Sequence, residues 1–221
     1  MTGRPRAGQI AGIYTAEYVM RPIPLLPLVV VALTIAACQR HERVPMPDIR
    51  INPQPQEKYE ITMRVVGAPR PFEKVIGTAQ YDIPDHDDAC IPTDYTIAPL
   101  SGIKNRPSKD MPVEWHKVSD TEYRTEVYLD ALLDEDYYGL GTCRWYLTAV
   151  RAKLISEPAI FVTSIVNKLL LSGQEGVTFA NKEFFNSPPP SFGFYSMLKP
   201  GKYQPGDGQF QINFTARKVM P

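Results

Sequence analysis

From residue 58 onward, apolar and polar residues alternate with period two over most of the chain. Tyr59, Ile61, Met63 and Val65 alternate with Glu60, Thr62 and Arg64, and Val75, Ala79, Tyr81 and Ile83 alternate with Thr78, Gln80 and Asp82. Cys143, Trp145, Leu147 and Ala149 share the parity of one strand, and Phe210, Ile212, Phe214 and Ala216 share that of another. Successive side chains of an extended chain point to opposite faces, so this pattern predicts strands with one buried and one wet face. Residues 113–117 and 123–129 flank Ser119-Asp120-Thr121, a polar turn suited to a hairpin. About seven short strands of this kind predict a mainly β fold, an antiparallel β-sandwich or open barrel, rather than a parallel α/β sheet.

One stretch supports two readings. Ser156-Glu157-Pro158 suits the start of a short helix near 158–172, with Val162, Ile165, Val166, Leu169 and Leu170 on one face and Gly173 at its end. Ile160, Val162, Thr163, Ile165 and Val166 are β-branched and favour a strand instead. Residues 187–191 (Ser-Pro-Pro-Pro-Ser) and 199–201 (Lys-Pro-Gly) are loops by composition.

The N-terminal part follows another logic. A single Arg21 precedes an apolar run from Ile23 to Ala37, which ends in Ile35-Ala36-Ala37-Cys38. This resembles a bacterial lipoprotein signal peptide, and the resemblance covers residues 20–39. It implies that residues 1–37 are removed, that Cys38 is lipidated through its sulfur, and that Gln39 at the next position directs the protein to the outer membrane. A transmembrane helix is the competing reading, but Pro24 and Pro27 interrupt a run shorter than the roughly 20 residues needed to span hydrocarbon. Met20 suits the true start, with residues 1–19 otherwise an extended n-region. Residues 38–58 carry Pro45, Pro47, Pro53 and Pro55 and read as an extended tether. Residues 59–221 then form a single β-rich periplasmic domain. With Cys38 used for lipid, Cys90 and Cys143 remain as an expected disulfide in an oxidising compartment, two buried thiols being the alternative.

Charge and motifs narrow the chemistry. The chain has 24 basic and 24 acidic residues, so nothing advertises a nucleic-acid partner. Of its three histidines His41 lies in the expected tether, and neither His86 nor His116 accompanies a Gly-x-Ser-x-Gly elbow. Glu126 and Asp130 on one strand face stand too far apart for paired glycosidase carboxylates, which leaves only cross-strand pairs. Gly139-Leu140-Gly141 lacks the third glycine of a phosphate loop, and Trp115 and Trp145 occupy core parity. The expectation is therefore no catalytic residue, no cofactor and no metal.

Two acidic stretches stand out: Asp85-His86-Asp87-Asp88 before Cys90, and Asp134-Glu135-Asp136-Tyr137-Tyr138 before Cys143. A Cys90–Cys143 bond would bring Asp85, Asp87, Asp88, Asp134, Glu135, Asp136, Tyr137 and Tyr138 to one end of the domain. Carboxylates steer and tyrosines supply contact area, which suits a protein partner. Solvated loops and a calcium site are the alternatives, and a transition-metal site from His86, Asp88 and His116 is weaker. In architecture alone, a small disulfide-bearing lipoprotein of this kind resembles the immunity proteins that protect bacteria from secreted, envelope-targeting toxins. The alternative function is a structural lipoprotein subunit of an envelope or secretion assembly.

Overall fold

The computed structural model describes residues 43–186, 206 and 208–220. The expected signal peptide, Cys38 and the loops at 187–191 and 199–201 lie outside these residues. Eleven strands follow in chain order: β1 (Lys58–Val66), β2 (Lys74–Asp82), β3 (Thr93–Asp94), β4 (Ile103–Lys104), β5 (Ser108–Glu114), β6 (His116–Lys117), β7 (Glu122–Tyr128), β8 (Tyr146–Ser156), β9 (Ala159–Val166), β10 (Gly176–Asn181) and β11 (Gln209–Lys218). A five-stranded sheet, β10-β11-β1-β7-β6, faces a four-stranded sheet, β5-β2-β8-β9, and β3-β4 form a separate ribbon. Every pairing is antiparallel. The fold is a β-sandwich, as the alternation predicts.

The predicted parity fills the core. Tyr59, Ile61, Met63 and Val65 of β1 face inward, as do Ala79 and Tyr81 of β2 and Phe210, Ile212 and Phe214 of β11. Burial of each Val, Ile, Met or Phe side chain among them contributes roughly 1.5–3 kcal/mol. At one end of the sandwich, where β1 passes to β2, the rings of Phe72, Phe161, Phe185 and Phe210 pack at centroid separations of 4.8–6.2 Å. Phe185 comes from a 3-10 helix at Lys182–Asn186 and lies under the Arg70 guanidinium, 5.3 Å away.

Three local departures from the sequence pattern have physical reasons. Residues 113–117 are not one strand: the chain leaves the four-stranded sheet after Glu114, buries Trp115, and joins the five-stranded sheet at His116. Gly77 makes room for this crossing, since a Cβ there would collide with the Val113 carbonyl oxygen and the Trp115 ring. In β8 the register slips, with Gln80 opposite Ala149 but Tyr81 opposite Leu147. The extra residue, Thr148, reverses the parity, so Ala149 stands on the outer face with Gln80 while Val150, Ala152 and Leu154 point inward. Ala149 therefore does not share the face of Leu147 as the pattern predicts. Finally, residues 158–172 divide between both readings. Ser156-Glu157-Pro158 is a turn rather than a helix start, β9 takes the β-branched residues, and helix α1 (Asn167–Ser172) follows, closed by Gly173 at φ +63°.

Each sheet edge is short, interrupted by proline, or in contact with an edge strand of the other sheet. β6 has two residues and β5 contains Pro112. The outer strands β9 and β10 meet through the Thr163 and Thr178 hydroxyls, 3.0 Å apart and buried.

Candidate interaction surface at the disulfide end

The end opposite the phenylalanine cluster gathers the connections β2–β5 and β7–β8 with the residues that precede β1. Cys90 and Cys143 are placed as a disulfide there, their Cα atoms 5.3 Å apart. Cys90 closes a 3-10 helix at Asp85–Cys90, and the Cys143 amide donates to the Glu135 carbonyl at 2.8 Å. Both acidic stretches thus adjoin the disulfide, as expected from their positions in the sequence.

Their carboxylates, however, are largely engaged within the fold. The Lys104 ammonium donates to the Asp88 carbonyl at 2.6 Å and its carboxylate at 3.1 Å, while Arg106 pairs with Asp85 at 2.9 Å and Asp88 at 3.4 Å. Glu135 pairs with Arg50. Asp134 accepts from the Trp145 amide and Asp136 from the Leu140 amide, both at 2.9 Å. The Tyr137 hydroxyl donates to the Leu133 carbonyl at 2.6 Å and its ring meets Trp145 edge-on; the Tyr138 hydroxyl lies 3.5 Å from the Pro45 carbonyl. Arg50, Lys104 and Arg106 thus pair with three of the six carboxylates, Glu135, Asp88 and Asp85, and Asp134 and Asp136 hold backbone amides. Lys104 and Arg106 could have been suspected as counter-charges from Lys104-Asn105-Arg106 in the sequence; Arg50 gave no signal.

What stays open is narrower. The Asp85 side chain is 87% exposed. With Asp82, Ile83, Pro84, His86, Arg106, Pro107 and Thr148 it lines a shallow cleft of about 590 Å³. Tyr146, 42% exposed, packs edge-on against His86 beside it. Asp82 is held below the usual carboxylate range: burial opposes this, but hydrogen bonds from Ser108, Thr148 and Gln80 outweigh it.

The residues before β1 are docked. The Asn52 amide donates to the Ala131 carbonyl at 2.8 Å, and the Asp130 carboxylate accepts from the Gln56 and Glu57 amides at 2.7 and 2.9 Å. Ile49 packs against the core and Ile51 bridges to Leu132. The residues from Arg43 onward therefore lie against the domain rather than forming a free tether to residue 58.

The β3-β4 ribbon carries a second, unforeseen feature. Residues 95–103 contain no charge, and Ile97 and Leu100 are 57% and 102% exposed. Buried Asp94 braces this tip, accepting from the Thr96 hydroxyl at 2.6 Å and the Thr96 amide at 2.7 Å. These two bonds, in that order, hold its carboxyl below the usual range against burial, and the nearby Val44 amide and Arg43 charge act in the same direction.

No protein-family model, curated protein or solved structure matches this chain. Its function therefore has to be argued from its own residues. Among the described residues no three His, Cys, Asp or Glu side chains converge as a metal site. His86 and His116 stand at opposite ends of the sandwich, so the His86–Asp88–His116 arrangement is excluded by topology. On the outer face of the five-stranded sheet Glu60 and Glu126 are cross-strand neighbours. The Arg217 guanidinium bonded to Glu60 keeps that carboxyl below its ordinary range, and Glu126 is paired with Lys58.

Proposed function

We propose that this protein is an outer-membrane lipoprotein, anchored through Cys38, whose domain binds a protein partner in the periplasm without catalysis. The role that best fits is an immunity or inhibitor protein against an envelope-targeting secreted toxin. The observation that carries the binding reading is the fixed convergence of two long connections and the segment before β1 at one end of the sandwich. A sandwich that pins irregular loops with a disulfide and buried carboxylate bonds presents a preorganised surface, the usual way such scaffolds recognise partners. The exposed face of that surface is the cleft around Asp85 and His86, edged by Tyr146, rather than the whole set of eight acidic and tyrosine residues.

Genetics in the native host tests the reading. A deletion strain should lose fitness only beside toxin-bearing siblings. The wild-type gene should restore it, Cys38→Ala should not, and Asp85→Asn with Tyr146→Ala should restore it poorly despite normal abundance. A growth defect in monoculture, accompanied by loss of an assembled envelope machine, would instead favour the structural-subunit role.

A further inference from the structure

We infer that the uncharged tip between β3 and β4 is a lipid contact, with Ile97 and Leu100 seated in the bilayer that holds the Cys38 acyl chains. The inference rests on the lipid-anchor reading and adds to it which end of the domain meets the membrane.

Chemistry and stiffness come first. Asp94 and Lys104 bracket nine residues without charge, and Ile97 and Leu100 stand out from them into water. Tyr95, 40% exposed, stands at the rim, where an amphipathic ring suits the headgroup layer. The tip is not a floppy loop turned outward by chance. The Asp94–Thr96 bonds fix one side, and the Gly102 amide donates to the Ala98 carbonyl at 2.7 Å on the other. Gly102 holds φ +66°, and a Cβ there would collide with Thr93 and Tyr95. A braced loop that keeps two aliphatic side chains exposed has forgone their burial within the domain.

The anchor's reach decides the occupant. Arg43 follows Cys38 by five residues, which span at most about 18 Å when fully extended. Residues 43–46 line a groove of about 310 Å³ together with Asn105, the residue after β4, and Tyr138. The chain thus enters the domain beside the base of the ribbon, and Met46 at that entry is 66% exposed. A membrane that holds Cys38 would therefore lie within a short reach of the end of the domain that carries the ribbon. Three of the six carboxylates in the acidic loops at the same end, Asp85, Asp88 and Glu135, are paired with Arg106, Lys104 and Arg50, which lowers the electrostatic cost of approaching lipid headgroups. A protein partner for the tip is disfavoured because nine uncharged residues offer no steering or hydrogen-bonding side chain beyond the Tyr95, Thr96 and Ser101 hydroxyls.

The test uses the full chain, expressed with its own leader, purified in detergent and reconstituted into phosphatidylethanolamine vesicles containing phosphatidylcholine brominated on its acyl chains. Leu100→Trp places a reporter at the tip, and Val118→Trp, at the opposite end of the sandwich, is the control; both sites are exposed, so neither change disturbs the core. Mass analysis of the N-terminal peptide establishes acylation separately. The expected result is an acylated chain in which bromine removes most of the added Leu100→Trp emission and none of the added Val118→Trp emission. An acylated chain with no quenching of Leu100→Trp, whether the tip is in water or under a protein, overturns the lipid contact and leaves the anchor intact. Equal quenching at both positions overturns it as well, because the domain then has no defined orientation. An unacylated Cys38 overturns the anchor and the tip contact together.

Discussion

The Tyr81 hydroxyl, carried inward by β2 of the four-stranded sheet, donates at 2.6 Å to the carbonyl of Tyr128 at the end of β7 in the other sheet. With the Thr163–Thr178 contact, it is a polar tie between two layers joined mainly by apolar packing, and burial pushes the phenol well above its ordinary pKa. Tyr81→Phe keeps the ring and removes the bond, leaving a carbonyl short of its partner. A loss of about 1–2 kcal/mol is expected in urea unfolding, without change in the slope of the transition.

The disulfide closes a separation of 53 residues and fixes both acidic connections. Cys90→Ser should cost about 2–5 kcal/mol. Thiol titration of the unfolded, non-reduced wild-type chain should find neither Cys90 nor Cys143 reactive.

Asp130 is expected to act as a clamp on the segment before β1, since its carboxylate receives two consecutive backbone amides. Asp130→Ala should loosen the chain at Gln56 and Glu57 while β1 stays paired. Hydrogen exchange would read this as lost protection at the Gln56 and Glu57 amides, with the amides of β1 unchanged.

Acid should weaken the domain in a defined direction. Glu60 and Glu122 are lowered first by hydrogen bonds from Arg217 and Arg124 respectively, and Asp82 and Asp94 by the bonds already described. A carboxyl depressed by folding contributes its full stability above its unfolded pKa and loses it as pH falls through the folded value. Thermal midpoints should therefore be flat near neutrality and fall once pH drops below about 4.5, the ordinary range of free carboxyls. Replacing Asp94 by Asn should flatten part of that fall and loosen the ribbon tip.

The sheets were legible because period-two alternation is a direct imprint of a half-buried strand, as in β1 and β11. The crossing at Trp115 and the bulge at Thr148 were not, because each is set by a neighbour distant in sequence: the bare Cα of Gly77 in one case and the register with Gln80 in the other. The same limit governs the surface. The sequence places Asp88 and Glu135 near two cysteines, but Lys104 and Arg50 become their counter-ions only through folding. Conversely, the tip at Ile97 and Leu100 has no signature in the sequence, because an apolar residue carries no mark of whether the fold will cover it.

The edges of the sandwich carry a further meaning for how copies of the protein coexist. An open strand invites a neighbour to extend the sheet, and that invitation grows with crowding. Here β6 ends after two residues, Pro112 deprives β5 of a backbone donor, and Lys109, Asp110 and Glu114 punctuate that strand with charge. On the other flank the buried Thr163–Thr178 contact joins the outer strands to each other. Strand addition between copies is thus discouraged most strongly on the β5–β6 flank, so the sheet is less prone to extension there as concentration rises than an unguarded edge would be.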